Sequence, residues 1–306
     1  MNSLDRDRIV QMSTKDWDCG RARVSILIVI YNNWDQTGQC LKSLSRIDFP
    51  SRRVILVDNG SRIPCPDWIR SNFPDAELLI NTQNLGYAHG CNYGIPHARK
   101  QNPDYIWFLN DDTEVQPRSL RALVELCDSD QHIGAAGSLL LDPGPAQNVQ
   151  AWGGGRINFF TGLSPALQKP DSRPDYVCGA SMLVRCSALD EVGLLNPGFF
   201  LYWEDTDLCY RLRAAGWKLA VANQSVVIHK GSASSVFQSP FYDYHFTASS
   251  IRFFRMHYRC WPVPVLVSVA GRMTKRIVLC KFENATAVWR AFRNMCKRST
   301  PAQVRS

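Results

Sequence analysis

The stretch Val24–Asn33, VSILIVIYNN, decides the fold class. Its first seven residues hold six apolar side chains, five of them β-branched, with no polar alternation. Such a run fits a strand buried on both faces, as in a parallel sheet covered by helices. Tyr31-Asn32-Asn33 ends it. The same grammar recurs downstream. Arg53–Val57 (RVILV) is closed by Asp58-Asn59-Gly60-Ser61, Glu77–Ile80 is a third strand, and Tyr105–Leu109 (YIWFL) is closed by Asn110-Asp111-Asp112. Helical spacing fills the intervals at Asp35–Leu44, Asp67–Phe73, Asn84–Arg99 and Ser119–Asp128. Strands alternating with helices predict an α/β fold with a mostly parallel central sheet flanked by helices. Ligands in such sheets bind at the carboxyl ends of the strands, so the three polar clusters should converge on one rim.

The second half is less regular. Residues 142–175 are rich in Pro, Gly, Asn and Ser and read as loops. Val177–Arg185 (VCGASMLVR) is strand-like, Asp190–Gly193 a short helix or turn, and Glu204–Gly216 a helix stopped by its glycine. Lys218–Ala222 and Val226–Ile228 read as two short strands.

Hydrophobic residues make up 45% of the 306 positions and charged residues 20%, which excludes a disordered chain. Of the formal net charge of +8, the last 56 residues carry more than the whole: residues 251–306 hold twelve Lys and Arg against Glu283 alone. That asymmetry points to an anionic partner for the tail. Eleven cysteines without a CxxC pair, several inside apolar runs (Cys91, Cys178, Cys209), argue for reduced thiols rather than a disulfide framework or a zinc site. The polar start MNSLDRDRIVQMSTKDWDCG lacks the apolar core of a secretory signal. The most apolar stretch, Cys260–Gly271, is too short to span a bilayer. These features predict a polar leader over 1–21, a catalytic domain over 22–250 and a basic tail over 251–306.

Four patterns could carry chemistry. Asp111 and Asp112, directly after a strand, suit Mg²⁺ or Mn²⁺ shared with a diphosphate, or form a solvated turn. Gly86, Gly90 and Gly94 allow close approach of backbone to a ligand, or close helix–sheet packing. Neither the dinucleotide fingerprint nor a P-loop is present. Glu204-Asp205-Thr206-Asp207 caps a helix, or supplies a general base whose pKa the preceding aromatic run Phe199–Trp203 raises. His229 is a metal ligand, a phosphate contact or a structural residue.

Taken in order, IVIYNN, VDNGS, NLGYAHGCNYG, FLNDDT, GASMLVR, GFFLYWEDTDLCYRLRAAGW and VIHKGSAS resemble the inverting glycosyltransferases of family 2, of GT-A fold, and most nearly their rhamnosyltransferase-like branch. The resemblance covers residues 22–260. It implies transfer of a deoxyhexose such as rhamnose from a dTDP- or UDP-sugar to a lipid-linked saccharide, with a divalent cation, Mn²⁺ or Mg²⁺. By resemblance Tyr31 and Asn33 line the nucleoside pocket, and Asp58 meets the base imide. Asn84, Gly86 and Asn92 lie along the nucleotide. Asp111 faces the ribose and Asp112 holds the metal, with His229 as its distal ligand. Gly179 and Ala180 face sugar and acceptor, and Asp205 is the base with Glu204 its partner. One departure lies at 245–252, where Ser249-Ser250 replace an Arg-Asn pair.

In the tail, Val278, Phe282, Ala285, Trp289, Phe292 and Cys296 fall on one helical stripe, with Lys281, Arg290, Arg293 and Lys297 off it. A basic amphipathic helix of this kind fits an anionic membrane surface, which would place the protein at the cytoplasmic face of the membrane. The other occupant of the stripe is the catalytic domain or a second subunit in a homodimer. Nucleic acid is not expected, since no recognised binding fold accompanies the charge. The alternatives to a transferase are a non-catalytic docking scaffold in polysaccharide assembly and a sugar nucleotidyltransferase. The latter would need a Gly-rich basic loop where Tyr31-Asn32-Asn33 stands.

Overall fold

The computed structural model describes residues 22–170, 173–231 and 239–297. The expected leader over 1–21, the tail from 298 onward, and residues 232–238, which include the end of VIHKGSAS, lie outside the described residues. The chain divides into two compact units. The first comprises the residues up to 156, 165–200 and 204–231. The second comprises 157–164, 201–203 and the chain from 232 onward.

The first unit runs β1 (Val24–Ile30), α1 (Trp34–Leu44), β2 (Arg52–Asn59), α2 (Asp67–Asn72), β3 (Ala76–Asn81), α3 (Tyr87–Ala98), β4 (Tyr105–Leu109), β5 (Thr113–Val115) and α4 (Ser119–Ser129). It continues with β6 (Ile133–Leu141), β7 (Val149–Trp152), β8 (Gly154–Gly155), β9 (Tyr176–Val177), β10 (Ser181–Arg185), α5 (Cys186–Val192), α6 (Glu204–Ala214) and β11 (Lys218–His229). The main sheet has the order β3-β2-β1-β4-β10-β6-β11-β5, with β7 beside β6. The strands β3, β2, β1 and β4 are parallel, and β10 enters antiparallel between β4 and β6.

The seven residues of β1 are all buried, as their composition requires. Val24, Ile26, Ile28 and Ile30 pack with Leu41 and Leu44 of α1 and Leu120 and Leu123 of α4. Leu27 and Val29 face the other way, onto Ala88, Cys91 and Ile95 of α3 and Leu208 and Leu212 of α6. The period of two along a strand therefore feeds two separate cores.

Two local expectations change, and one strand was not expected. Val177–Arg185 is not one strand: it breaks at Gly179–Ala180, where Ser181 N–H bonds Cys178 O at 3.2 Å. Lys218–Ala222 and Val226–Ile228 merge into one strand whose register slips between Ala222 and Val226. Ile133–Leu141, IGAAGSLLL, carries too many small residues to announce a strand, yet it forms β6. Those small residues admit neighbours: a Cβ on Gly137 would stand 2.4 Å from the Gly153 carbonyl oxygen.

In the second unit, α7 (Pro240–His257), α8 (Pro262–Val278) and α9 (Phe282–Lys297) pack together. Ser239 caps α7, accepting from Tyr242 N–H at 3.1 Å. Asp243 is fully buried, and Arg276 (2.8 Å) and Asn284 (2.6 Å) neutralise and solvate it. Tyr202 and Trp203 lie consecutively in the left-handed region, at φ +67° and +69°. Each costs about 1–3 kcal/mol. Ring contacts offset that cost, from Tyr202 to Tyr242 and from Trp203 to Phe246, Phe253 and Phe254. The tail stripe expected as one helix is split, since Val278 ends α8 and Phe282 opens α9. The buried face of α9 is Ala285, Val288, Ala291 and Met295, rotated from the stripe, and Val278, Phe282 and Trp289 are exposed.

The middle of the sheet is locked by a chain of buried hydroxyls. Trp107 Nε1 donates to Ser181 Oγ at 3.0 Å, and Ser138 Oγ lies 2.7 Å from both Ser181 Oγ and Ser225 Oγ. The chain crosses β4, β10, β6 and β11 in an interior where an orphaned hydroxyl costs about 1–3 kcal/mol. Ser138→Ala is expected to destabilise the protein by about 1–2 kcal/mol, read as a lower denaturant midpoint with an unchanged slope.

Candidate functional site

The rim forms where β1, β2 and β4 end. Asn32, at φ +56°, accepts from Arg62 N–H at 2.7 Å and donates its own N–H to Ser61 Oγ at 2.9 Å. Trp34 Nε1 donates to Ile63 O at 2.8 Å. These bonds stitch the loop after β1 to the loop after β2. Asp58, buried, accepts from Ser61 N–H at 2.8 Å, and Tyr31 stands 42% exposed beside this seam in the chain. Asn33 reaches the next strand end, where its side chain bonds Asp111.

A relay of amides supports the start of α3. Asn81 Nδ2 donates to Asn59 Oδ1 (3.1 Å), and Asn59 Nδ2 donates to Asn84 Oδ1 (3.1 Å) and Gly86 O (3.0 Å). Asn84 Oδ1 also accepts from Gly86 N–H at 2.9 Å. The helix consequently begins at Tyr87 rather than Asn84. Gly86 has φ +98°, and a Cβ there would lie 2.4 Å from Phe200 O, so glycine is required on both counts. Asn92 donates to Leu195 O at 2.7 Å. Asn84 and Asn92 thus both hold neighbouring backbone.

The Asp-Asp pair meets His229 through strand register. β5 pairs antiparallel with β11, placing His229 opposite Thr113. Lys230 N–H bonds Asp112 O at 3.0 Å, and His229 Nε2 stands 3.3 Å from Asp112 Oδ1. Gln150 sets the ring. Its Nε2 donates to His229 O at 2.7 Å, which turns its Oε1 to His229 Nδ1 at 2.9 Å. A neutral ring then carries its proton on Nδ1 and presents the Nε2 lone pair to the Asp112 carboxylate. An imidazolium proton can bridge the two groups, and so can a cation, with Asn110 Nδ2 3.4 Å from the same His229 nitrogen. Ligand atoms about 2.1 Å from an octahedral cation, at right angles, lie about 3 Å apart, so the pair fits a divalent ion. Burial, reinforced by Asp112, pushes Asp111 up to about 8, and the Asn33 bond opposes it. Among the described residues no three His, Cys, Asp or Glu side chains form a ready cage. Two protein ligands suit an ion that completes its shell with water and phosphate oxygens.

The second acid pair is tied to the first through the break in the 177–185 segment. β10 pairs with β4 so that Ser181 faces Leu109, which sets Gly179–Ala180 beside Asn110. Asn110 N–H bonds Ala180 O at 3.1 Å, and Gly179 N–H bonds Asp205 Oδ2 at 2.8 Å. Asp205 Oδ1 accepts from Thr206 N–H (2.6 Å) and Thr206 Oγ1 (3.1 Å). Cys178 lies within electrostatic reach of Asp205, Glu204 and Asp112 together. Burial raises Asp205, and its three donors oppose the rise. Glu204, 6% exposed with Oε2 unbonded, goes well above the usual carboxylate range through burial and then the Asp205 charge. Asp207 is occupied by Arg211 at 3.0 Å, which also grips the carbonyls of Val192, Gly193 and Leu194. The three carboxylates of one tetrapeptide therefore have three different environments. Of Glu204 and Asp205, both raised by burial, Asp205 has the more hydrogen-bond donors opposing the rise.

Sequence reasoning passed over Gln150 and placed Asn59 at the rim without giving it a role. Gln150 lies in a stretch read as loop and has no motif. Asn59 sits inside the quoted VDNGS, and its position at a strand end was the available signal.

A model of the family described as Glycosyl transferase family 2 matches residues 25–193. The chain is 26% identical over 277 residues to N-acetylglucosaminyl-diphospho-decaprenol L-rhamnosyltransferase of Mycobacterium tuberculosis, covering 82% of this chain and 90% of that protein. It is 25% identical over 223 residues to rhamnosyltransferase WbbL of Escherichia coli K12, covering 67% and 83%. Among solved structures, GalNAc-T7 with UDP, GalNAc and Mn²⁺ superposes with a TM-score of 0.63 at 16% identity over 88% of this chain, which spans 55% of that one. The mannosyltransferase PcManGT of Pyrobaculum calidifontis, in complex with GDP-Man and Mn²⁺, gives 0.58 at 15% identity over 94% and 80%. Those structures establish the fold as GT-A-like. With more than half its length matched by the family model and the acid pairs gathered on one rim of that fold, the chain belongs to glycosyl transferase family 2 and is a glycosyltransferase.

Proposed function

We propose that the protein is an inverting, divalent-cation-dependent transferase. It moves a deoxyhexose such as L-rhamnose from a dTDP- or UDP-sugar to a saccharide carried on a lipid diphosphate, in cell-surface polysaccharide synthesis. The observation that carries this reading is the linkage of Asp205, through the Gly179 amide and Ala180 carbonyl, to the Asn110-Asp111-Asp112 turn. The relatives named rhamnosyltransferase support the sugar and the lipid-linked acceptor.

Donor recognition falls to the seam between β1 and β2. Tyr31 offers a ring face to the base, Asn33 borders the ribose, and Asp58 has a carboxylate oxygen beyond its Ser61 bond for an imide N–H. Asp111 faces the ribose. Asn84, Gly86 and Asn92 shape the backbone along which the nucleotide lies. Gly179 and Ala180, lacking bulk, leave room for the transferred sugar and the acceptor. Asp112 and His229 would hold the cation, which when bound offsets the charge that builds on the leaving diphosphate. Asp205 takes the proton from the acceptor hydroxyl as that oxygen attacks the anomeric carbon. The donors around Asp205 oppose the burial that raises its pKa, and the net rise makes its carboxylate a stronger base than a solvated aspartate. A single displacement inverts the anomeric centre.

The exposed apolar side chains of the second unit support attachment to an anionic membrane surface. Val278 (74%), Phe282 (63%) and Trp289 (48%) stand in solvent among the exposed Lys275, Arg290, Arg293 and Lys297. Each basic residue near such a surface contributes about 1 kcal/mol. No helix among the described residues is long and apolar enough to cross a membrane.

Asp205→Asn is expected to lower kcat by at least about 1,000-fold while donor affinity measured by calorimetry stays within about 2-fold. Near-normal turnover in that variant removes Asp205 from the role. Asp112→Ala should abolish the gain in dTDP or UDP affinity that Mn²⁺ confers on the wild type, in paired titrations with and without the ion. The full-length protein should sediment with phosphatidylglycerol vesicles at low salt, and Phe282→Asp with Trp289→Asp should return it to the supernatant. A wild-type protein that stays in the supernatant rules out the membrane surface.

A further inference from the structure

Two buried polar atoms where α3 and α6 begin lack an oxygen or nitrogen partner among the described residues: the Tyr87 hydroxyl and Glu204 Oε2. Their elements are held in place. Tyr87 N–H donates to Phe200 O at 2.8 Å, and Gly86 lies so close to the Phe200 backbone that a Cβ would meet its Cα at 2.7 Å. The first turn of α3 cannot draw back from the chain that leads into Glu204. The charge of Glu204 bears on both the Tyr87 hydroxyl and the Cys91 thiol one turn further along α3. Tyr87, Cys91 and Glu204 therefore share one neighbourhood. The thiol beside the Tyr87 hydroxyl is only a weak partner. Tyr87 and Glu204 are not hydrogen-bonded to each other.

A phenol donates, and a carboxylate oxygen accepts. An alcohol oxygen both accepts and donates, so a single hydroxyl group placed between them satisfies both atoms. Saccharides supply such groups. Asp205 already accepts three hydrogen bonds and is assigned the attacking hydroxyl, which leaves Glu204 for a second one. We propose that the Tyr87 hydroxyl and Glu204 Oε2 form a two-point subsite for one hydroxyl of a saccharide substrate, which makes Tyr87 a further substrate-contacting residue. The subsite rests on the transferase reading above.

The test compares wild type with Tyr87→Phe, Glu204→Gln and the double variant, using Mn²⁺, the dTDP- or UDP-hexose that wild type hydrolyses fastest, and a synthetic N-acetylglucosaminyl-diphospho-lipid as acceptor. Removing a buried hydroxyl that no protein oxygen or nitrogen satisfies should leave the Tm of the ligand-free protein unchanged or raise it. At the same time KM for the substrate that owns the hydroxyl should rise about 10-fold. Donor hydrolysis without acceptor reveals that rise if the hydroxyl is on the donor sugar, and only transfer reveals it if the hydroxyl is on the acceptor. The rise in KM of the double variant should fall short of the product of the two single effects, since both groups bind the same oxygen. Unchanged KM for both substrates in Tyr87→Phe, or a lowered Tm without a change in KM, overturns the subsite and leaves the transferase reading standing. A wild-type protein that binds neither dTDP nor UDP with Mn²⁺ overturns that reading and the subsite together.

Discussion

The hydrogen bond from the Gly179 amide to Asp205 is the constraint on which the site depends. A carboxylate at the first turn of a helix would ordinarily turn toward water or its own backbone. Here the broken strand before β10 offers an amide aimed across the rim, and the antiparallel pairing of β10 with β4 sets where that amide can be. Because Asn110 N–H is bonded to the adjoining Ala180 carbonyl, both acid clusters are referenced to one two-residue turn. A shift of the β4–β10 register by one residue would turn that turn to the opposite face and separate them.

Electrostatics then sorts groups that look alike. Four carboxylates, Asp111, Asp112, Glu204 and Asp205, sit at the rim, and burial opposes the ionisation of Asp111, Glu204 and Asp205. Their partners differ. Asp205 collects three neutral donors, Asp112 faces an imidazole oriented by Gln150, Asp111 takes one bond from Asn33, and Glu204 Oε2 has none. Unequal solvation gives similar groups on one rim unlike protonation preferences.

The second unit uses its sequence in another way. Its internal packing consumes Ala285, Val288, Ala291 and Met295, small and medium residues that let α9 lie close to its neighbours, and leaves the large Phe282 and Trp289 outside. A buried Asp243 between Arg276 and Asn284 ties α7 to α8 and α9. Arg272 adds a guanidinium stacked 4.0 Å from the Phe246 ring. Part of the basic excess of the tail is thus spent on internal pairing.

Periodicity alone determined the parallel half of the sheet, because strands buried on both faces must be apolar throughout and must end in polar residues. The same logic placed Tyr31, Asp58 and Asp112 at strand ends without coordinates. It did not reveal β6, whose Gly, Ala and Ser residues are there to admit neighbours rather than to advertise burial. It also could not separate Glu204, Asp205 and Asp207, three acids within four residues, since what distinguishes them is Gly179, Thr206 and Arg211, and only one of those adjoins Asp205 in the chain. The tail helix was legible as amphipathic, but the rotation that buries Val288 and exposes Trp289 was not. Residue spacing records which side chains share a face. Which partner that face meets is set by neighbours distant in the chain, and those neighbours come together only in the folded protein.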